Sequence, residues 1–253
     1  MSVNQEYESE SLFSDNTLKT TDPEFAEFFG NFVDDEVRHE PGANHPELDE
    51  PTRWMAILAA LLGCQGHEAF ALMAPKALDA GLTPIQLKEI VYQATAYLGF
   101  GRVLPFLGIA NHVLADLGVS LPLEGQSTTT PETRAAAGEQ SQIDIFGEHM
   151  RGFAQSGPEE TRHINKWLAD NCFGDYYTRG GLDTRQREMI TLCFLAAQGG
   201  CEPQLTAHAA ANLRVGNEKA FLIAVVSQCM PYLGYPRTLN AIRCINEAAA
   251  QAA

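Results

Sequence analysis

The residues best suited to chemistry stand in the second half of the chain. Cys201, Gln204, Leu205 and His208 fall at relative positions 0, 3, 4 and 7, which on a helix puts them on one face. A histidine there can donate or accept a proton near neutral pH. A cysteine there is a nucleophile or redox centre if its thiolate is accessible, or a small buried hydrophobe if the face is core. Gln204 either orients a substrate carboxylate or carbonyl or satisfies His208. Upstream, Glu188 follows Arg187 at the start of an apolar run, where it reads as a salt-linked helix start or as a proton carrier. The seven histidines form no H-x-x-x-H pair and no cluster with cysteine, so neither a metal nor a cofactor site is expected.

These residues need helices to position them, and the apolar spacing supplies helices throughout. Asp183 caps one that carries Met189, Ile190, Leu192, Phe194 and Leu195 and stops at Gly199-Gly200. A second runs from about Glu202 to Val215 and ends at Gly216. Asn217 is placed to cap a third reaching Tyr232, and Pro236 sits in the first turn of a fourth. The first half repeats the set as Pro51 to Gly63, Gly66 to Ala80, Thr83 to Tyr97 and Gly101 to Leu117. Phe-rich helices are expected before each set, at Pro23 to Val37 and Ile143 to Phe153. Alternating strand patterns are absent, so the fold class is all-α.

The two sets are copies. At a constant offset of 135, Gln93 matches Gln228, Tyr97-Leu98-Gly99 matches Tyr232-Leu233-Gly234, and Arg102 matches Arg237. Leu48-Asp49 and Met55 match Leu182-Asp183 and Met189 one residue closer. A register held over so many positions marks a duplication. The expected organisation is a mobile arm over 1–21, a first domain over 22–124, a polar linker over 125–138 and a second domain over 139–253. At the second copy's chemical positions the first has Gly66 for Cys201, Ala69 for Gln204 and Met73 for His208, so it reads as degenerate and structural.

With 32 acidic and 17 basic residues the formal charge is -15, which disfavours nucleic acid and anionic membranes as partners. An anionic substrate would require the few cations to be gathered locally. The N-terminus has neither a cationic start nor an apolar run, so it does not read as a signal peptide. The six scattered cysteines read as reduced thiols, which points to a cytoplasmic protein.

Leu182, Asp183, Arg187, Glu188, His208, Gly216, Tyr232, Gly234 and Pro236, in that order and spacing, resemble the carboxymuconolactone decarboxylase family of the AhpD-like superfamily. The resemblance covers nearly all of residues 180–248 and, more weakly, 48–117. It implies two tandem AhpD-like helical domains, a small-molecule substrate and catalytic roles for His208, Glu188 and Cys201. Gln204, Tyr232 and Arg237 become candidate substrate-binding residues, although the recurrence of Tyr97 and Tyr232 in both copies favours packing, and Arg102 and Arg237 also suit intersubunit ion pairs. Peroxidase-type relatives carry C-x-x-C-x-x-x-H, but Gln204 stands where the second cysteine would be; decarboxylase-type relatives carry a glutamate at that same place. The resemblance implies cofactor-free decarboxylation of a small carboxylated lactone, with a thiol-dependent antioxidant activity or a non-catalytic oligomer as the other readings. It also implies a homo-oligomer, three duplicated chains forming a pseudo-hexameric ring.

Overall fold

The structure is a computed structural model that describes residues 17–252; the greater part of the expected N-terminal arm lies outside them. Among the described residues all regular structure is helical and no strand occurs. The chain divides into two compact units at Asn44 and His45. In the first, a single turn α1 (Leu18–Thr21) precedes α2 (Pro23–Asn31), which runs on as a π-helix over Phe32–Val37 and ends in a 3₁₀ turn at Pro41–Asn44. The expected helix over 23–37 is therefore present but changes winding part-way. Its apolar stripe of Ala26, Val33 and Val37 is buried.

The second unit contains α3 (Glu50–Gly63), α4 (His67–Asp79), α5 (Pro84–Leu98) and α6 (Phe100–Asp116), then α7 (Arg134–Phe146) and α8 (Arg162–Trp167). The last of these continues as a π-helix over Leu168–Tyr176. The second copy of the four-helix set follows as α9 (Thr184–Gln198), α10 (Glu202–Arg214), α11 (Lys219–Leu233) and α12 (Tyr235–Ala252). Local chemistry explains the starts. Thr83 with Gln86, and Asp183 with Gln186, form reciprocal capping boxes that satisfy otherwise orphaned N–H groups. Two expectations need correction. Glu218, not Asn217, precedes the first turn of α11; Asn217 instead donates to the Arg185 carbonyl at 2.9 Å and to Asn212 Oδ1 at 2.7 Å. The helix expected over 143–153 starts much earlier, as α7, and stops at Gly147, where φ is +114°.

The two copies share one core. Every residue from Arg53 to Gly63 in α3 and from Arg187 to Ala197 in α9 is buried, as befits helices apolar nearly all round. They pack on one another, α5 of the first copy packs on α9 of the second, and α11 of the second packs on α3 of the first. A Cβ built on Gly63 would lie 2.5 Å from the Ala197 Cβ, so only glycine lets the two backbones approach this closely. The polar contacts cross over in matched pairs. Arg187 donates to Gln93 Oε1 at 2.8 Å, and its counterpart Arg53 donates to Gln228 Oε1 at 2.9 Å. Gln93 also donates to the Arg187 carbonyl and to Thr191, each at 2.9 Å. Arg187 reaches Glu89 at 3.1 Å, and that carboxylate also takes a bidentate pair from Arg179. The partner of Arg187 is thus Glu89 and not its neighbour Glu188, which is left for other work.

Between the copies, the expected linker is a tethered strip. Gly180 donates its N–H to the Gln126 carbonyl at 2.9 Å, and the Thr128 and Thr129 hydroxyls donate to the carbonyls of Thr178 and Gly174. Arg134 then begins α7, which lies along the π-helix over 168–176. A Cβ on Gly138 would run into the Ala169 carbonyl, and one on Gly174 into the Arg134 carbonyl. Two glycines thus set the spacing of this pair.

Candidate active site

Glu188 sits on the second turn of α9 with 0% exposure, where an unpaired carboxylate would be costly. Its Oε2 lies 2.8 Å from His208 Nδ1, and its Oε1 accepts from the Tyr177 hydroxyl at 2.7 Å. Tyr177 follows directly on the π-helix, which aims its side chain at the start of α9. With its own proton directed to Glu188, Tyr177 is free to accept from Tyr97 at 2.8 Å or Thr191 at 3.0 Å. Tyr97 in turn is 3.8 Å from Cys172 Sγ. Burial and the nearby Glu188 charge push both tyrosines well above their ordinary range, and burial pushes the Cys172 thiol up to about 12. All three therefore remain protonated donors, and their hydrogen bonds point towards Glu188.

The same network fixes the imidazole. Nδ1 gives its proton to Glu188, so Nε2 of a neutral His208 carries the lone pair; the tautomer follows from the partner. Nε2 has no hydrogen-bond partner among the described residues, and His208, 8% exposed, lines a cleft of about 620 Å³. Asn212 holds the backbone on both sides by donating to the carbonyls of Glu188 and His208. The rings of Tyr97 and Phe146 meet the imidazole edge to face, each at 5.4 Å.

The cleft walls are mostly apolar, from Ala96, Phe146, Met150, Leu168, Phe173 and Leu195, with polar contributions from His149, Gln142, Gln198 and Gln204. No Lys, Arg, Asp or Glu lines it among the described residues. No cluster of His, Cys, Asp and Glu fit to hold a metal occurs among the described residues either.

Of the residues singled out from sequence, His208 and Glu188 meet as a dyad, and Cys201 and Gln204 share the cleft with His208. Cys201 stands at the N-cap of α10, where its thiol is directed to the Leu195 carbonyl at 3.4 Å. Burial, and then the charge of Glu202, raise its pKa above the ordinary thiol value, although the Gln198 amide opposes this. Gln204 is exposed at the rim. Tyr232 and Arg237 do not line the cleft; Arg237 donates to the Ala197 carbonyl at the end of α9. Tyr97, read as packing because it recurs, turns out to bring the first copy into the second copy's site. Tyr177, Gln142 and Phe146 are absent from the sequence reading, since no spacing ties them to His208; the one usable signal was a run of aromatic residues, Phe173, Tyr176 and Tyr177, just ahead of the Leu182-Asp183 pair.

Two stretches, residues 23–112 and 163–247, match the family model described as the Carboxymuconolactone decarboxylase family. The chain belongs to this family. The two matches agree with the tandem arrangement, and each begins at the helix that runs into a π-helix, α2 in one case and α8 in the other. Helix α7 falls between the matched stretches, so this decarboxylase-family chain borders its cleft with a segment outside either repeat. Comparison with curated proteins gives no match.

Proposed function

We propose that this protein is a cofactor-free lyase that decarboxylates a small carboxylated unsaturated lactone or a related cyclic acid. The observation that carries the reading is the buried Glu188–His208 dyad, whose free Nε2 opens on an apolar cleft. Breaking the bond to the carboxylate carbon releases CO2 and leaves an electron pair, which the conjugated lactone carbonyl holds as a dienolate. The reaction then needs a proton at carbon, delivered from His208 Nε2 and restored from solvent. Glu188 stabilises the imidazolium that exists before delivery and holds its ring in place. An apolar lining suits the first step, because an arginine clamped to the departing carboxylate would stabilise the ground state more than the transition state. The thiol-dependent reading has less support: the Cys201 thiol is held in its neutral form.

The test is turnover of a carboxylated unsaturated lactone, followed by CO2 release. His208→Ala is expected to lower kcat by about 10²–10⁴-fold, the usual worth of a positioned acid or base. Equal turnover by the variant would overturn the assignment.

A homo-oligomeric ring of three chains is part of the same proposal. Phe100 and Leu104 on α6 are exposed, and so are Tyr235 and Leu239, the residues 135 positions later on α12. A patch presented twice by a duplicated chain suits a repeated contact between copies. Light scattering that gives a monomer would contradict it. No described helix is long and apolar enough to cross a membrane, and the six free cysteines support a reducing compartment such as the cytoplasm.

A further inference from the structure

Gln142, on α7, is 1% exposed and forms part of the cleft wall. Both its Nε2 and its Oε1 are buried without a hydrogen-bond partner among the described residues. A primary amide shut away in this manner forfeits its hydrogen bonds to water and gains nothing in return. Position, however, gives it a use. Gly138, Gln142 and Phe146 recur at four-residue intervals, so they share one face of α7. Gly138 is clamped against the π-helix over 168–176, and Phe146 touches the His208 ring. Gln142 therefore lies one helical turn, about 6 Å of rise, from the residue in contact with the catalytic imidazole.

We infer that Gln142 is the polar contact that selects and activates the substrate, donating from Nε2 to the lactone carbonyl oxygen while His208 handles the proton. The inference rests on the reaction proposed above. It moves the role of neutral donor from Gln204, which is exposed at the rim, to a residue outside both family repeats. A buried neutral donor fits a carbonyl that becomes an oxyanion: the hydrogen bond strengthens as charge develops, and no counter-ion pins the departing carboxylate. The contact requires the side chain to turn so that the amide, buried in the cleft wall, meets the ligand. Its Oε1 then accepts from a ligand hydroxyl, so the preferred substrate is a compact carboxylated lactone with a hydroxyl or enol beside the carbonyl.

The experiment compares wild type with Gln142→Met and Gln142→Glu, using lactone turnover and melting temperature together. Methionine keeps the length and removes the unsatisfied polar atoms; glutamate keeps the shape and, when ionised, has no donor. The expected result for Gln142→Met is a kcat lower by about ten- to a hundred-fold, the worth of one buried hydrogen bond to developing charge. KM should stay within a few-fold and the melting temperature should be equal or higher. Gln142→Glu should be impaired at least as strongly. Unchanged kcat, or a kcat loss matched by a lower melting temperature in both variants, overturns the inference. If wild type does not turn over the lactone, the proposed reaction fails and Gln142 is judged separately. The probe is then an unreactive saturated hydroxylactone in the same thermal assay. A stabilisation of wild type that Gln142→Met loses supports the contact; an equal shift in both proteins, or none in wild type, overturns it.

Discussion

Glu188 receives hydrogen bonds from two side chains, and the direction of each is set by its donor's chemistry. Burial holds the Tyr177 hydroxyl well above its ordinary range, so it stays a donor near neutral pH, and His208 offers Nδ1; the carboxylate thus decides which imidazole nitrogen faces the cleft. A glutamine at this position would be a near-isostere that can donate. Glu188→Gln is therefore expected to lower kcat by about 10²-fold or more while leaving the fold intact, because the amide permits the wrong tautomer; kinetics with a melting curve check both halves. Cys201 leads to the opposite expectation. With its thiol pKa raised by burial, thiolate is scarcer than in a free cysteine at every pH below that value. Alkylation near pH 7.5 should be slower than for a free thiol, and Cys201→Ser should keep lactone turnover within about two-fold, since no step uses the sulfur. A variant that lost the activity entirely would return the thiol to the mechanism.

At the scale of elements, α7 and the π-helix over 168–176 carry one side of the cleft, and their separation is set by Gly138 and Gly174. Gly138→Ala places a methyl group against the Ala169 carbonyl, which costs about 1–3 kcal/mol as the helices part. It should lower the melting temperature and also kcat, because Phe146 and Gln142 move with α7; a kcat that stayed at the wild-type level would show that the cleft does not depend on this spacing. The same elements mark the limit of sequence reading. The starts of α5 and α9 were legible, since Thr83 with Gln86 and Asp183 with Gln186 act within one turn. The Cys201, Gln204 and His208 face was legible from helical spacing. The π-helix was not, because it has no local signature and is held by α7. Tyr97 does pack, against Phe194 and the His208 ring, but its hydrogen bond to Tyr177 was not legible, because that partner is distant in sequence and recurrence says nothing about what lies across a shared core.

For the whole molecule, the burial of protonated groups ties stability to alkaline pH. Burial raises the pKa values of Cys172, Tyr97 and Tyr177 in the folded protein, and a hydrogen bond with Cys229, then burial, raises that of Cys193. Between the ordinary thiol value of 9.0 and about 12 for Cys172, the native state binds more protons than the unfolded chain. Stability is then complete below about pH 9 and falls as pH rises through that window. Denaturant midpoints measured from pH 8 to 11 should decline steadily, and a flat profile would contradict the burial of these groups.

Tyr97 has one more consequence. A cleft whose histidine, glutamate and Tyr177 belong to one repeat and whose second tyrosine, Tyr97, belongs to the other makes the polypeptide resemble a heterodimer joined end to end. The joining segment then serves mainly to keep the halves at high effective concentration. Cleaved between residues 119 and 133 and produced as two chains, the halves should find one another and restore activity, whereas the second alone should be inactive despite carrying both His208 and Glu188. That outcome would make the first repeat, which has Gly66, Ala69 and Met73 at the positions of Cys201, Gln204 and His208, a required part of the site.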